Sequence, residues 1–397
     1  MSSTDLQIAV ASDSRYLTGA IGTLSSIRLS VSRETAIKVF FLHDGLTATE
    51  QQRVHTAMAK LKCGPEVEFV KVDDMFASFP SFRHGSTMTY ARLVLPDNMT
   101  VERLIYVDVD ILVLKDLSEL LRMDVPETGV GGVVEGFIAR DMPMDLPVPP
   151  DPQRPYLNAG LLMMDLPKIR SAGTFAKAFE MLHNFPKSCK QHDQSALNYV
   201  LNGDAKVLDE EWNVQSGQMY FDPIDAIPKL VERSLNVHFV TKAKPWLTGV
   251  PFPAEHMFRM LLDAVDPLWR EDPFVKTSMA RSVERMAWAM PLLFKARAWS
   301  RKLTGKPSFW DFYESKRWSR YNENVLRLDV RSDKFQSLVT GWQAQINANL
   351  TGKADILEAK SKDPLIHRAS SRFPISWRWL QCFERTGRLL CRGAQQL

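Results

Sequence analysis

The chain has 397 residues, 45% of them hydrophobic and 24% charged, a globular composition with length enough for one large core or two smaller ones. The formal net charge of +4 is divided: residues 1–280 carry 28 basic and 36 acidic side chains, residues 281–397 carry 22 and 10. An acidic body argues against wrapping nucleic acid, and a basic tail suits an anionic surface. In chain order, strands are predicted over Gln7–Ala11, Ile37–Leu42, Val67–Val72, Leu104–Val113, Val130–Val134, Leu157–Met164 and Asn236–Val240. Several are apolar on both faces, as in strands buried within a mostly parallel sheet. Helical patterns fall between them at Gly19–Ser30, Thr49–Leu61, Lys168–Leu182 and His192–Leu201. This alternation predicts an α/β sheet covered on both sides, with ligands beyond the carboxyl ends of the strands. Pro143–Pro155 holds six prolines in thirteen residues and reads as an extended loop. From about Pro245 helical sequence rich in Trp and Arg takes over.

The four cysteines form no CxxC, which argues against a zinc knuckle or a disulfide framework. The start MSSTDLQIAVASD lacks a basic region followed by a long apolar run, so no secretory signal is expected, and no apolar run approaches the ~18 residues of a spanning helix. GxGxxG after the first strand, GxxxxGK[ST], HExxH and GxSxG are all absent.

The most informative segment is Leu104–Val113, an apolar run interrupted by Asp108 and Asp110. At strand period the two side chains share a face. Paired carboxylates repel and are costly to desolvate, and a divalent cation offsets both terms. The bland alternative is a strand end with two solvated aspartates. Oxygen ligands suit Mg²⁺, Mn²⁺ or Ca²⁺, and an added imidazole tilts the choice to Mn²⁺. His238, inside the short apolar run Asn236–Val240, is the candidate; a hydrogen-bonded core histidine is its ordinary reading. Lys244 and Trp246 follow closely, placing a cation where a polyphosphate would lie.

In order along the chain stand IAVASD (Ile8–Asp13), Arg83-His84 with TYAR (Thr89–Arg92), LIYVDVDILV (Leu104–Val113), LNAG (Leu157–Gly160), HDQ (His192–Gln194) and HF…KPW (His238–Trp246). This series resembles glycosyltransferase family 8, the family of the bacterial lipopolysaccharide and lipooligosaccharide galactosyltransferases and of glycogenin. The resemblance implies a single Rossmann-like nucleotide-sugar domain of the GT-A type over residues 1–250, with a mostly parallel mixed sheet. It implies a retaining transferase that moves a hexose from a UDP-sugar, UDP-galactose before UDP-glucose, to a glycan or lipid-linked acceptor. Asp108, Asp110 and His238 would hold Mn²⁺, with Mg²⁺ as a substitute. Asp13 and Tyr16 would hold the uracil and Lys244 the diphosphate. His84, Arg92, Val109, Asn158 and Ala159 would also line the donor site. Asp193 and Gln194 would sit at the donor sugar beside the reacting carbon, and Glu135 would face the acceptor. Local structural roles stay open beside these: Asp13 and Asp193 as helix caps, Tyr90 and Arg92 as a packed helix face, Gly160 as a point of close backbone approach.

Residues 281–306 hold seven basic residues and one acidic, interleaved with Trp288, Leu292, Leu293 and Trp299. Residues 251–306 are therefore expected to be a helical, basic, amphipathic segment that meets anionic lipid, with a packed helix showing a solvated basic face as the alternative. The expected location is cytoplasmic, peripheral on the inner face of the bacterial membrane. Residues 307–397 form an appendage with no assigned role. The rival functions are a non-catalytic sugar-nucleotide-binding protein and a DxD-type metal-dependent phosphatase, though the phosphatase pattern needs its aspartates near the chain start.

Overall fold

The computed structural model describes residues 6–72, 76, 79–80, 86–135, 153–215, 235–240, 244–247, 253–277, 289–304, 315–316, 319, 323 and 331–352. Strand β1 (Leu6–Ala11) is buried at every position but Gln7. It pairs in parallel with β2 (Ile37–His43) on one side and with β4 (Arg103–Val107) on the other. β3 (Glu66–Lys71) extends the sheet parallel to β2. β7 (Leu157–Asp165) runs antiparallel to both β4 and β6 (Val130–Val134), and β8 (Lys206–Leu208) closes the far edge parallel to β6. The order is β3-β2-β1-β4-β7-β6-β8, a mostly parallel seven-stranded sheet as predicted.

Strand period sorts the core into two clusters. Leu6, Ile8 and Val10 point to one face, with Leu24 and Ile27 of α1 (Leu17–Ser30), Val54 of α2 (Ala48–Ala59), and Phe258 and Leu262 of α6 (Pro253–Val265). Ala9 and Ala11 point to the other, with Tyr90, Phe175 and Leu182 of α4 (Thr174–Asn184), and Leu197 of α5 (Asp193–Leu201). Burying both faces is what makes these strands read as continuous apolar runs.

Two predicted elements are divided. The helix expected over Lys168–Leu182 is α3 (Leu166–Ala172) and α4, separated by Gly173 at φ +65°, a left-handed cap that ends one helix before the next begins. The strand expected over Leu104–Val113 is β4 and β5 (Ile111–Leu112), with Asp108, Val109 and Asp110 in the turn between them. There the chain leaves the large sheet. The Asp108 N–H donates to Gly160 O on β7 (2.7 Å), while Asp110 O accepts from Phe239 N (2.9 Å). β5 then joins a second sheet, β5-β10-β9, with β9 (Val214–Gln215) and β10 (Val237–His238). Of the strand predicted at Asn236–Val240, only these two residues of β10 pair.

C-terminal elements pack on this body. Arg53 of α2 binds Asp266 and Asp272 (2.7 Å each) and Thr18, clamping the segment after α6 to α1 and α2. Trp342 of α8 (Asp333–Asn349) donates its indole N–H to Met257 O, and Leu350 bridges to Leu61. α7 (Met290–Leu303) lies between them in sequence. Among the described residues no helix is long and apolar enough to cross a membrane.

Candidate active site

The turn after β4 and the strand β10 converge. One donor atom each from Asp108, Asp110 and His238 lie within 4.8 Å of one another. His238 Nε2 is 3.2 Å from Asp110 Oδ1 and 3.8 Å from Asp108 Oδ2. The register that pairs His238 with Ile111 sets this distance, because it brings the imidazole beside the turn. The carboxylates therefore meet through a turn rather than along a strand, and the expected cluster forms all the same.

Lys244 binds Asp110 through its ammonium and donates to Phe239 O at 2.5 Å. Burial alone would push the Asp110 carboxyl up. Lys244 and His238 outweigh it and hold the group well below the usual carboxylate range. Asp110 Oδ1 is nevertheless buried and has no hydrogen-bond partner among the described residues. A buried, ionised oxygen facing an imidazole nitrogen, with a second carboxylate in reach, is the arrangement a divalent cation would satisfy.

Behind the turn stands Arg92, from the 3₁₀ segment Met88–Val94 that carries TYAR. Its guanidinium binds Asp193 Oδ2 (2.9 Å), Asp108 Oδ1 (3.1 Å) and Ala159 O, and lies 4.3 Å from the Tyr106 ring centroid. Burial disfavours its charge, but Asp193 and the other neighbouring groups more than restore it, so it stays cationic. Arg92 thus ties the acidic turn to the start of α5. Asp193 is the first residue of that helix rather than its cap, and Thr89 Oγ1 donates to it at 2.5 Å. Burial raises the Asp193 carboxyl against the pull of Arg92. His192 before it adopts φ +54°, a left-handed conformation costly for a side chain, and its Nδ1 lies 2.8 Å from the Tyr90 hydroxyl. Gln194 Oε1 accepts from Ala159 N at 2.9 Å.

The remaining expected residues fall around this centre. Asp13 caps the turn Ser14–Tyr16 through the Arg15 and Tyr16 N–H groups and pairs with the Arg15 side chain at 2.5 Å, so its capping reading is realised. Tyr16 is half-buried, edge-on to Trp246 at 6.1 Å and tilted against Phe274 at 6.2 Å. Val109 is buried between the two aspartates. Asn158 donates to Glu135 at 2.7 Å, both buried. His84 and residues 136–152, which take in most of the Pro-rich loop Pro143–Pro155, lie outside the described residues. Sequence reading missed Asn213, whose Oδ1 is 3.0 Å from His238 Nδ1, and Thr89. The signal for Asn213 was present: a polar residue between Trp212 and Val214, like His238 in its own apolar run.

The glycosyl transferase family 8 model matches residues 7–249, the span that holds every described element of this site. The chain belongs to glycosyl transferase family 8. The transferase is 25% identical over 268 residues to general stress protein A of Bacillus subtilis, covering 62% of this chain and 90% of that protein. It is also 25% identical over 266 residues to a lipopolysaccharide 1,3-galactosyltransferase of Salmonella typhimurium, covering 63% and 76%. Among solved structures, the galactosyltransferase LgtC in complex with donor and acceptor sugar analogs superposes with a TM-score of 0.57 at 23% identity, over 67% of this chain and all of that one. That likeness establishes the GT-A fold, and membership of the family makes the chain a glycosyltransferase. The phosphatase and non-catalytic alternatives fall away.

Proposed function

We propose that this transferase moves a hexose, galactose before glucose, from a UDP-sugar to a hydroxyl of a lipopolysaccharide-type glycan, with retention at the anomeric carbon and with Mn²⁺, or Mg²⁺ in its place, held by Asp108, Asp110 and His238. The observation that carries the reading is the meeting of these three side chains with Lys244 beside them. The relatives named for lipopolysaccharide galactosyl and glucosyl transfer support the acceptor class.

Bound there, the divalent ion supplies positive charge to the diphosphate, where negative charge grows as the bond to the sugar breaks. The residues do the rest. Lys244 adds a second fixed cation at the leaving group, and its buried bond to Asp110 keeps it aimed. Tyr16, backed by Trp246 and Phe274, offers a ring face for the uracil, and Asp13 with Arg15 lies at the same turn. Arg92 holds Asp193 and Asp108 in one frame, so the sugar and diphosphate subsites keep their spacing. Asn158, Ala159 and Gln194 surround the sugar, with His84 assigned there from its motif and Glu135 facing the acceptor. A covalent relay would need a free carboxylate under the anomeric carbon. Gln194 is an amide bonded to Ala159 N, and Asp193 is engaged by Arg92 and Thr89. This supports transfer on one face: the acceptor oxygen bonds to the anomeric carbon, the bond to UDP breaks with its electron pair on the phosphate, and the acceptor proton passes to the departing phosphate oxygen.

Residues 1–250 then form the transfer unit and 251–306 bring it to the membrane. Within that stretch α6 packs into the core, so the membrane contact is assigned to α7. Residues 307–397 remain an appendage. The protein would work in the cytoplasm at the inner membrane face. The test is UDP release from a panel of UDP-sugars in Mn²⁺, with and without chelator. Wild type is expected to release UDP only with the ion. Asp110→Ala and His238→Ala should lose at least ~100-fold in rate while remaining folded, the scale of removing transition-state charge stabilisation. Full activity in either variant, or in excess chelator, overturns the assignment.

A further inference from the structure

A chain of buried amides runs from His238 away from the acidic turn. Asn213 Oδ1 lies 3.0 Å from His238 Nδ1, Asn213 Nδ2 donates to Asn158 Oδ1 (2.8 Å), and Asn158 Nδ2 donates to Glu135 Oε2 (2.7 Å). Asn158 Oδ1 also accepts the Gly160 backbone N–H at 2.9 Å. All of these side chains are buried.

A backbone N–H only donates, so this last bond fixes every other one. Asn158 must turn its oxygen to Gly160, and the amide atom that Asn213 turns to that oxygen must be its NH₂. Asn213 is then left with its oxygen towards His238, and that oxygen can only accept. Nδ1 of His238 must therefore carry a proton. In the neutral ring Nε2 is then bare, and Nε2 is the nitrogen that faces Asp110 and Asp108. Without Asn213 the preference would reverse, because a proton on Nε2 could be donated to the Asp110 carboxylate at 3.2 Å and would occupy the coordinating position.

We propose that Asn213 is the positioning residue that locks His238 in its Nδ1–H tautomer and so keeps the Nε2 lone pair open to a cation. The proposal rests on the reading of Asp108, Asp110 and His238 as a cation site. Outer partners of ligating histidines are worth about 10–100-fold in ion affinity.

The tautomer is read by long-range ¹H–¹⁵N NMR of the imidazole in ion-free protein, and ion affinity by Mn²⁺ titration monitored by EPR, with no sugar present. Wild type should show Nδ1–H and bind Mn²⁺. Asn213→Leu should shift His238 towards Nε2–H and bind Mn²⁺ about 10–100-fold more weakly. Asn213→Asp keeps an acceptor for Nδ1–H and should retain both the tautomer and tight binding, although it loses the donor to Asn158. Circular dichroism checks folding of each variant. If Asn213→Leu does not fold, the wild-type tautomer and Asn213→Asp still decide. An Nε2–H tautomer in wild type, or an unchanged tautomer and affinity in folded Asn213→Leu, overturns the role of Asn213 while the cation reading stands. No Mn²⁺ uptake by wild type overturns the cation reading itself, and this role with it.

Discussion

His43 at the end of β2 shows how a single ring nitrogen is used when no ion is involved. Its Nδ1 accepts from the N–H groups of Gly45 (3.2 Å) and Leu46 (3.0 Å), so the buried ring shapes the turn only when Nδ1 is bare. Burial lowers its pKa from the usual 6.5, Asp44 pulls upward, and Lys71 lowers it further. A folded value below the unfolded one means the unfolded chain binds the proton more readily, so stability rises with pH. The contribution is whole above the unfolded pKa and is lost as pH falls from about 6.5 through the lower folded value. The midpoint of urea unfolding should therefore drop between about pH 8 and about pH 5.5. His43→Asn, whose oxygen can accept the same two bonds, should flatten that slope; an unchanged slope would count against the assignment. His238 is the opposite case: its Nδ1 is turned to an acceptor, and its Nε2 faces the carboxylates. Both histidines lie within or beside apolar runs, and composition alone gives no way to tell a turn-maker from a member of the acidic cluster.

At the level of elements, β7 does more than fill the sheet. A Cβ placed on Gly160 would fall 2.2 Å from Cε1 and 2.7 Å from Nδ1 of His238, so the bare backbone of this strand is the seat of the imidazole. Gly160→Ala should displace the ring. Expected is a large loss of Mn²⁺ affinity, about 10–100-fold, with a far-UV dichroism spectrum like that of wild type; binding at full strength would show that the ring yields without cost. The central strands were legible because their side chains are buried on both faces and leave runs of Val, Ile, Leu and Phe. The turn holding Asp108 and Asp110 was not. Val109 between them is buried, so the apolar pattern runs on through a point where the backbone changes sheets. The break at Gly173 was hidden likewise, since buried residues at helical spacing stand on both sides of it, Leu166 and Ile169 before and Phe175, Ala178 and Leu182 after. At the site, acidic groups inside an apolar run drew the eye to Asp108, Asp110 and, by the same logic, His238. Asn213 stayed unseen because, although it sits between apolar neighbours just before the two-residue strand β9, an uncharged amide gives no charge signal of its own.

Taken whole, the molecule is an acidic catalytic body followed by a basic tail, and α7 gives that division a shape. Leu292, Ala296, Trp299 and Leu303 recur at helical spacing along one exposed stripe, Leu303 being 85% exposed, while Ala298 on another face is fully buried. Lys295 and Lys302 flank the stripe, and Lys302 Nζ lies 5.4 Å from the Trp299 ring centroid. Such a helix suits the boundary between headgroups and acyl chains of an anionic bilayer. Flotation with phosphatidylglycerol vesicles should fall sharply for the double variant Trp299→Glu, Leu303→Glu, while UDP release in solution stays unchanged; equal flotation would set the membrane role aside. A different consequence follows from the small sheet β5-β10-β9, whose strands or flanking turns carry Asp110, Asn213 and His238. As the polypeptide emerges from the ribosome, its two aspartates arrive after Arg92 but well before His238 and Lys244, the other groups that meet them. A nascent chain stopped before Val237 holds every strand of the large sheet and the Arg92–Asp108 pair yet leaves Asp110 without Lys244, so the acidic turn is completed late in synthesis, when β10 takes its place between its two neighbours.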